Sequence, residues 1–182
     1  MISEFSVKPK PQNKNAYYYM YAFLLGALVT LVVYFLMDKY KGLVGLGTIA
    51  FITAAVFVYT KYIAAQYIYD ITFDSSGNPV FVVRQQTGKK DTTLACIYIS
   101  GITSVGIFDK TERKNHTTPV GMIKYIYTPT ISPDTVCLIT YYSRYEKSEI
   151  YIEANSDFAS LLMSYAIEAR AKEEGERETE EY

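Results

Sequence analysis

Along residues 16–62 the chain is apolar almost without a break, along 66–154 apolar and polar positions alternate, and after 156 the apolar positions recur every three or four residues. Each regime predicts a different element. Ala16–Met37 holds no charged residue over 22 positions, and Gly42–Thr60 holds none over 19. A helix rises about 1.5 Å per residue, so about 20 apolar residues cross the roughly 30 Å hydrocarbon core of a bilayer. Only Asp38, Lys39, Tyr40 and Lys41 separate the two runs. Backbone groups must be paired inside lipid, which leaves a tight hairpin of two spanning helices. Tyr17, Tyr18, Tyr19 and Tyr21 mark one end of the first run and Tyr59 and Tyr62 the far end of the second, where interfacial rings belong. Ala22, Gly26 and Thr30 share one helix face and Gly47, Ala50 and Ala54 another, which are the small residues that close packing in lipid asks for.

The alternating region divides into seven strands. "QYIYDITFD" sets Tyr67, Tyr69, Ile71 and Phe73 on one face and Asp70 and Thr72 on the other, the period of a half-buried strand. After the turn "SSGNP" come "VFVVRQQ", "TLACIYI" and the shorter "ITSVGIF". "DKTERKNHTTPVG" reads as a surface loop, followed by "MIKYIYT", "VCLITYY" and "SEIYIEA". Asn155 or Ser156 then caps a helix in which Phe158, Leu161, Leu162, Tyr165 and Ala169 form an apolar stripe. That helix should fade near Lys172, leaving an acidic tail with nothing to bury. The divisions are a polar N-terminal segment (1–15), a transmembrane hairpin (16–65, spans 16–37 and 42–62), a β-rich domain (66–172) and a disordered tail (173–182).

This order of elements, and the ending "CLITYYSRYEKSEIYIEANSDFASLLMSYAIEA", resemble the bacterial pleckstrin-homology-like (bPH) proteins that carry an N-terminal transmembrane hairpin. The resemblance implies an α+β domain, a seven-stranded antiparallel PH-like split barrel or sandwich capped by a C-terminal helix, membrane association and no enzymatic activity. Eukaryotic relatives often bind inositol phosphates through basic residues in the first hairpin. Here that loop is "DSSGNP", with an aspartate and no lysine or arginine.

Charge adds an orientation. Residues 1–62 carry six lysines against Glu4 and Asp38, whereas residues 63–182 are net acidic. Lys8, Lys10, Lys14 and Lys61 flank the outer ends of the spans and Lys39 and Lys41 the turn, so both termini should be cytoplasmic, at the inner or plasma membrane. No basic stripe marks a nucleic-acid partner.

Candidate chemistry is sparse. "GLVGLG" has neither the G-x-G-x-x-G order nor a following Lys-Ser/Thr, so it belongs to the hairpin and not to a phosphate loop. A signal peptide has an apolar core of about 7–15 residues, shorter than the first run. Cys96 and Cys137 lie in apolar strands and read as buried thiols. His116, the only histidine, reads as solvated; a Cys96–His116 pair has no motif behind it, and Ser100 and Ser104 lack a nucleophile elbow. No catalytic, metal or cofactor residue is expected. The remaining candidates are cations in two loops, Lys89 and Lys90 with Lys110, Arg113 and Lys114, as a surface-interaction rim. The expected role is a non-enzymatic module that binds a protein partner or self-assembles at the membrane surface. The alternatives are a lipid or small-ligand binder, or an accessory subunit of a transporter or enzyme complex.

Overall fold

The computed structural model of the protein describes residues 5–10 and 14–180. The chain divides into two compact units, one formed by residues 10–65 with 129–131 and the other by the remainder.

In the first unit, α1 (Lys14–Leu36) and α2 (Lys41–Val58, prolonged by a π turn over Tyr59–Ile63) form a hairpin. Neither helix contains a proline. Lys41 pairs with Asp38 at 2.6 Å across the turn, so opposite charges sit together where the chain reverses. The helices meet along Phe23, Gly26, Ala27 and Thr30 on α1 and Thr48, Phe51 and Ala55 on α2. A methyl group at Gly26 would lie 3.1 Å from the Phe51 ring, a tight contact that marks how closely the helices approach here. Thr48 Oγ1 stands 3.0 Å from Thr30 Oγ1, a hydroxyl pair that bridges the helices. The expected small-residue faces need correction: Gly26 and Thr30 lie in the seam, but Ala22 and Ala50 are exposed. Leu25, Leu28, Val32, Leu46, Ile49 and Phe57 are among the many apolar side chains turned outward.

The second unit has two four-stranded sheets and a helix. β1 (Phe5–Val7), β2 (Ala65–Phe73), β3 (Pro79–Thr87) and β4 (Lys90–Tyr98) form the first sheet in that order. β5 (Ile102–Asp109), β6 (Ile123–Tyr127), β7 (Thr135–Tyr142) and β8 (Lys147–Ile152) form the second, ordered β5-β7-β8-β6. The β3–β4 connection is a two-residue turn with Gly88 at φ 61°, the left-handed position such hairpins favour. All seven alternating segments are strands, but they are not seven consecutive antiparallel ones and they do not close a barrel. β5 pairs with β7, and β6 lies parallel to β8 at the far edge. The eighth strand, β1, comes from the segment expected to be merely polar, where Phe5 pairs with Ile71.

The sheets share a core of Tyr67, Tyr69, Ile71, Phe81, Ile139 and Ile150, all nearly inaccessible. Tyr69 joins the sheets: its hydroxyl donates to the Tyr127 carbonyl at 2.6 Å and accepts from the Glu153 amide at 3.2 Å. Burial pushes its pKa far above the ordinary tyrosine value, outweighing the Glu153 amide, whose bond to the oxygen lowers it. α4 (Ser156–Glu180) starts at Asn155, whose side chain accepts from the Phe158 amide at 3.0 Å. Its buried face is Phe158, Ala159, Leu162, Ala166 and Ala169, while Leu161 and Tyr165 are half-buried. Phe158 sits against Phe81 and Phe5, with ring centroids 6.1 and 5.9 Å away. The helix does not fade near Lys172. It runs to Glu180, because the glutamates and Arg177 of the expected tail are strong helix formers and only Gly175 and Thr179 oppose them. Residues 181–182 lie outside the described residues.

Phe158→Ala should lower stability by about 3–5 kcal/mol, whereas Ile167→Ala, on the exposed side of α4, should be close to neutral. Denaturant unfolding of the full-length chain in detergent measures both.

Candidate functional site

β5 ends at Asp109 on one edge of the second sheet, and β6 begins on the other edge, so the chain between them must cross β7 and β8. The crossing starts with a capping box. Asp109 Oδ1 accepts from the amides of Thr111 and Glu112 at 2.7 Å, and Glu112 Oε2 accepts from the Asp109 amide at 2.9 Å. This makes residues 110–115 a short helix, α3 (Lys110–Asn115), where a loop was expected. His116 then sets its ring edge-on to Phe108, centroids 5.4 Å apart, beside the cluster of Val136, Leu138 and Tyr151.

Beneath the crossing lies Glu149 of β8, 2% exposed. Its carboxylate is 2.8 Å from His116 Nε2 and 2.8 Å from Thr118 Oγ1, and it accepts from the Tyr151 hydroxyl at 3.1 Å. Burial alone would raise the Glu149 pKa. The bonds from Thr118, His116 and Tyr151 outweigh burial and hold it below the usual carboxylate range. Burial, reinforced by this same carboxylate, pushes Tyr151 up to about 12. His116 is therefore not the solvated side chain expected. With three donors converging on it, Glu149 acts as an anchor that clamps the crossing to the sheet.

A second buried carboxylate lies in the first sheet. Asp70 Oδ2 takes Arg84 Nε at 2.6 Å and Nη2 at 2.5 Å, and Arg84 Nη1 reaches Asp91 at 2.9 Å. A register shift between Val83 and Arg84 aims the guanidinium at this pair. Asp70 is 3% exposed, not solvent-facing as alternation predicts, and its Oδ1 has no partner among the described residues.

The five basic candidates fall in two places. Lys110, Arg113 and Lys114 are on α3 over the second sheet, and Lys89 and Lys90 belong to the β3–β4 turn of the first. Their carboxylate neighbours are engaged locally, Asp109 and Glu112 in the capping box and Asp91 with Arg84. Both cysteines are free. Cys137 is buried, with its thiol pushed up to about 12 by burial, but Cys96 is exposed on β4, a correction to the expected pair of buried thiols. Among the described residues no three His, Cys, Asp or Glu side chains are grouped to hold a metal ion.

An open cleft of about 800 Å³ lies where the β2–β3 turn, the β4–β5 corner, the β7–β8 turn and α4 meet; Tyr98, Gly101, Tyr142 and Arg144 are among its walls. Gly101 is compulsory there. A methyl group would come within 2.5 Å of the Tyr141 ring and 2.7 Å of the Tyr142 carbonyl oxygen. Asp74, on the rim, is spent on its own turn, accepting from the amides of Asn78 and Ser76 at 2.8 Å. Those bonds, the Asn78 amide first, lower its pKa. Compared with known proteins, the chain matches no family model, no curated protein and no solved structure.

Glu149→Gln should cost about 1–3 kcal/mol, because a buried carboxylate with three donors is replaced by a group that accepts fewer of them. The Glu149 pKa is lower folded than unfolded. Its contribution is complete above about pH 4.3 and is lost as pH falls through the lower folded value. Unfolding midpoints measured down a pH series should thus fall less steeply in the variant than in the wild type. Gly101→Ala should destabilise by about 1–3 kcal/mol through overpacking, read as a lower melting temperature.

Proposed function

We propose that the protein is a membrane-anchored, non-enzymatic PH-like module. Its hairpin holds the sheet domain at the cytoplasmic surface of the inner or plasma membrane, where that domain binds a protein partner or a second copy of itself. The observation that carries this reading is the character of the two helices. Lys14–Leu36 and Lys41–Ile63 are each 23 residues long, and only 6% and 11% of their apolar windows is buried. A core helix of a soluble protein hides its apolar residues, and these leave them outside. The second unit supports the module reading because it has its own core and its own capping helix, as a PH-like domain does. The parallel β6–β8 pair is a departure from the consecutive sheet order that the resemblance implies. The exposed Lys89, Lys90, Lys110 and Lys114, with the half-buried Arg113, offer two basic surfaces to an acidic partner.

The cleft beside Gly101 favours a second reading, a lipid or small-ligand binder. At about 800 Å³ it is of ligand size, and its walls include tyrosine rings and the exposed Arg144.

A reporter fused after Tyr182 should behave as cytoplasmic, and a cysteine placed there should resist an impermeant thiol reagent in intact cells. Labelling from outside would reverse the orientation. Photo-crosslinkers on α3 in intact membranes should capture a protein, whereas crosslinks to lipid alone would favour the second reading.

A further inference from the structure

β4 and β6 are each the last strand of a sheet, and among the described residues each leaves one edge unpaired. Between them opens a cleft of about 200 Å³, walled by Leu94, Cys96 and Ile97 on one side and by Tyr125, Tyr127 and Glu146 on the other. One wall is aromatic. The rings of Tyr125 and Tyr127, alternate residues of one strand face, lie 5.9 Å apart and within 7° of parallel. Among the described residues the only charged side chain lining the cleft is Glu146, half-buried at the β7–β8 turn. It shares the cleft wall with Tyr125, whose phenol is pushed up by burial and by this carboxylate. Among the described residues no salt bridge reaches Glu146. The adjacent Lys147 is turned to the Tyr142 ring, 5.6 Å from its centroid, on the other cleft.

These features select a guest by charge. A carboxylate and an aromatic face attract a cation through both its charge and the ring quadrupole. An anion is repelled, and a neutral apolar guest would desolvate Glu146 without pairing it. Size narrows the guest further. Pockets for drug-sized ligands run to about 300–1,000 Å³, so this one admits a single side chain or its equivalent. We propose that the cleft between β4 and β6 binds an organic cation of side-chain size, an alkylammonium or guanidinium group, packed on Tyr125 and Tyr127 with Glu146 as its counter-ion. The cation comes either from a free small molecule or from a lysine or arginine on a partner segment that pairs with the open edge of β4. The site does not depend on the anchoring role proposed above.

Cys96, exposed on the cleft wall, reports occupancy, and the buried Cys137 stays silent as a check that the fold is intact. The experiment is alkylation of the full-length chain in detergent by a neutral maleimide, with added N-acetyl-arginine amide or N-acetyl-norleucine amide. The arginine probe should slow Cys96 alkylation in the millimolar range and the norleucine probe should not. Glu146→Gln should weaken protection about tenfold or more, the loss of one charge-assisted contact. Its turn rests on the Glu146 backbone and Ser143, which the substitution leaves alone. A valine- and threonine-rich peptide with one central arginine separates the sources. Protection at far lower concentration than the capped amino acid assigns the cation to a partner strand, and equal protection assigns it to a free molecule. Equal protection by norleucine, protection unchanged in Glu146→Gln, or no protection by either arginine probe would overturn the site.

Discussion

A strand that pairs on the far edge of its sheet has to be reached across a face of that sheet, and this crossing governs the second sheet. Once residues 110–122 pass over β7 and β8, the face that alternation assigns to solvent becomes an interior. Val136, Leu138 and Tyr151 then make a small core of their own with Phe108. Glu149 is caught in the same place, and a buried carboxylate is tolerable only with donors around it. His116 and Thr118 supply two of them from the crossing itself. The side chain that most needs partners is thus what fixes the segment that buries it. The capping box at Asp109 aims the chain into this path.

The hairpin answers to a different constraint. Its backbone is satisfied within each helix, so what remains is the fit between two surfaces, set by Gly26 against Phe51 and by the Thr30–Thr48 pair. Asp38 and Lys41 are confined to the turn and Lys61 to the opposite end, where its ammonium sits over the rings of Phe57 and Tyr62. No charge is spent inside either apolar run. The two units divide the physics: one places polar groups only at its ends, the other encloses two buried carboxylates and supplies donors to each.

Local periodicity explains what could be read from the chain and what could not. The positions of seven strands, the Asn155 cap and the stripe through Phe158 and Leu162 are written in spacings of two, three and four residues, and the two long apolar helices in unbroken uncharged runs. Strand order is not local. Nothing in "MIKYIYT" says that its neighbour is β8, since pairing depends on how residues 110–122 travel. The same ignorance hid the clamp. Glu149 and Asp70 alternate as solvent-facing residues would, and only long-range partners reveal them as buried. The D-x-x-E of the capping box at Asp109 and Glu112 was the one local signal of α3. β1 is three residues long and has no period to display. Cys96 was misplaced because an edge strand keeps an apolar sequence while one side stays open. The basic residues were visible by composition, but their separation onto two sheets was not. The cleft with Glu146 joins three distant stretches.

The parallel docking of β6 also has a temporal side. Among the described residues the one strand it pairs with is β8, whose first paired residue, Ser148, follows Ile123 by a full strand and hairpin. As the chain leaves the ribosome, β6 must wait with both edges unsatisfied until β7 and β8 have been made. Ile123 and Ile126, about half exposed even in the finished fold, are then open to the surroundings. Non-local pairing of this kind is slow, and unpaired edges are where misassembly begins. The vulnerable moment in the life of this protein therefore falls late in synthesis, after the hairpin has emerged and before β8 closes the sheet.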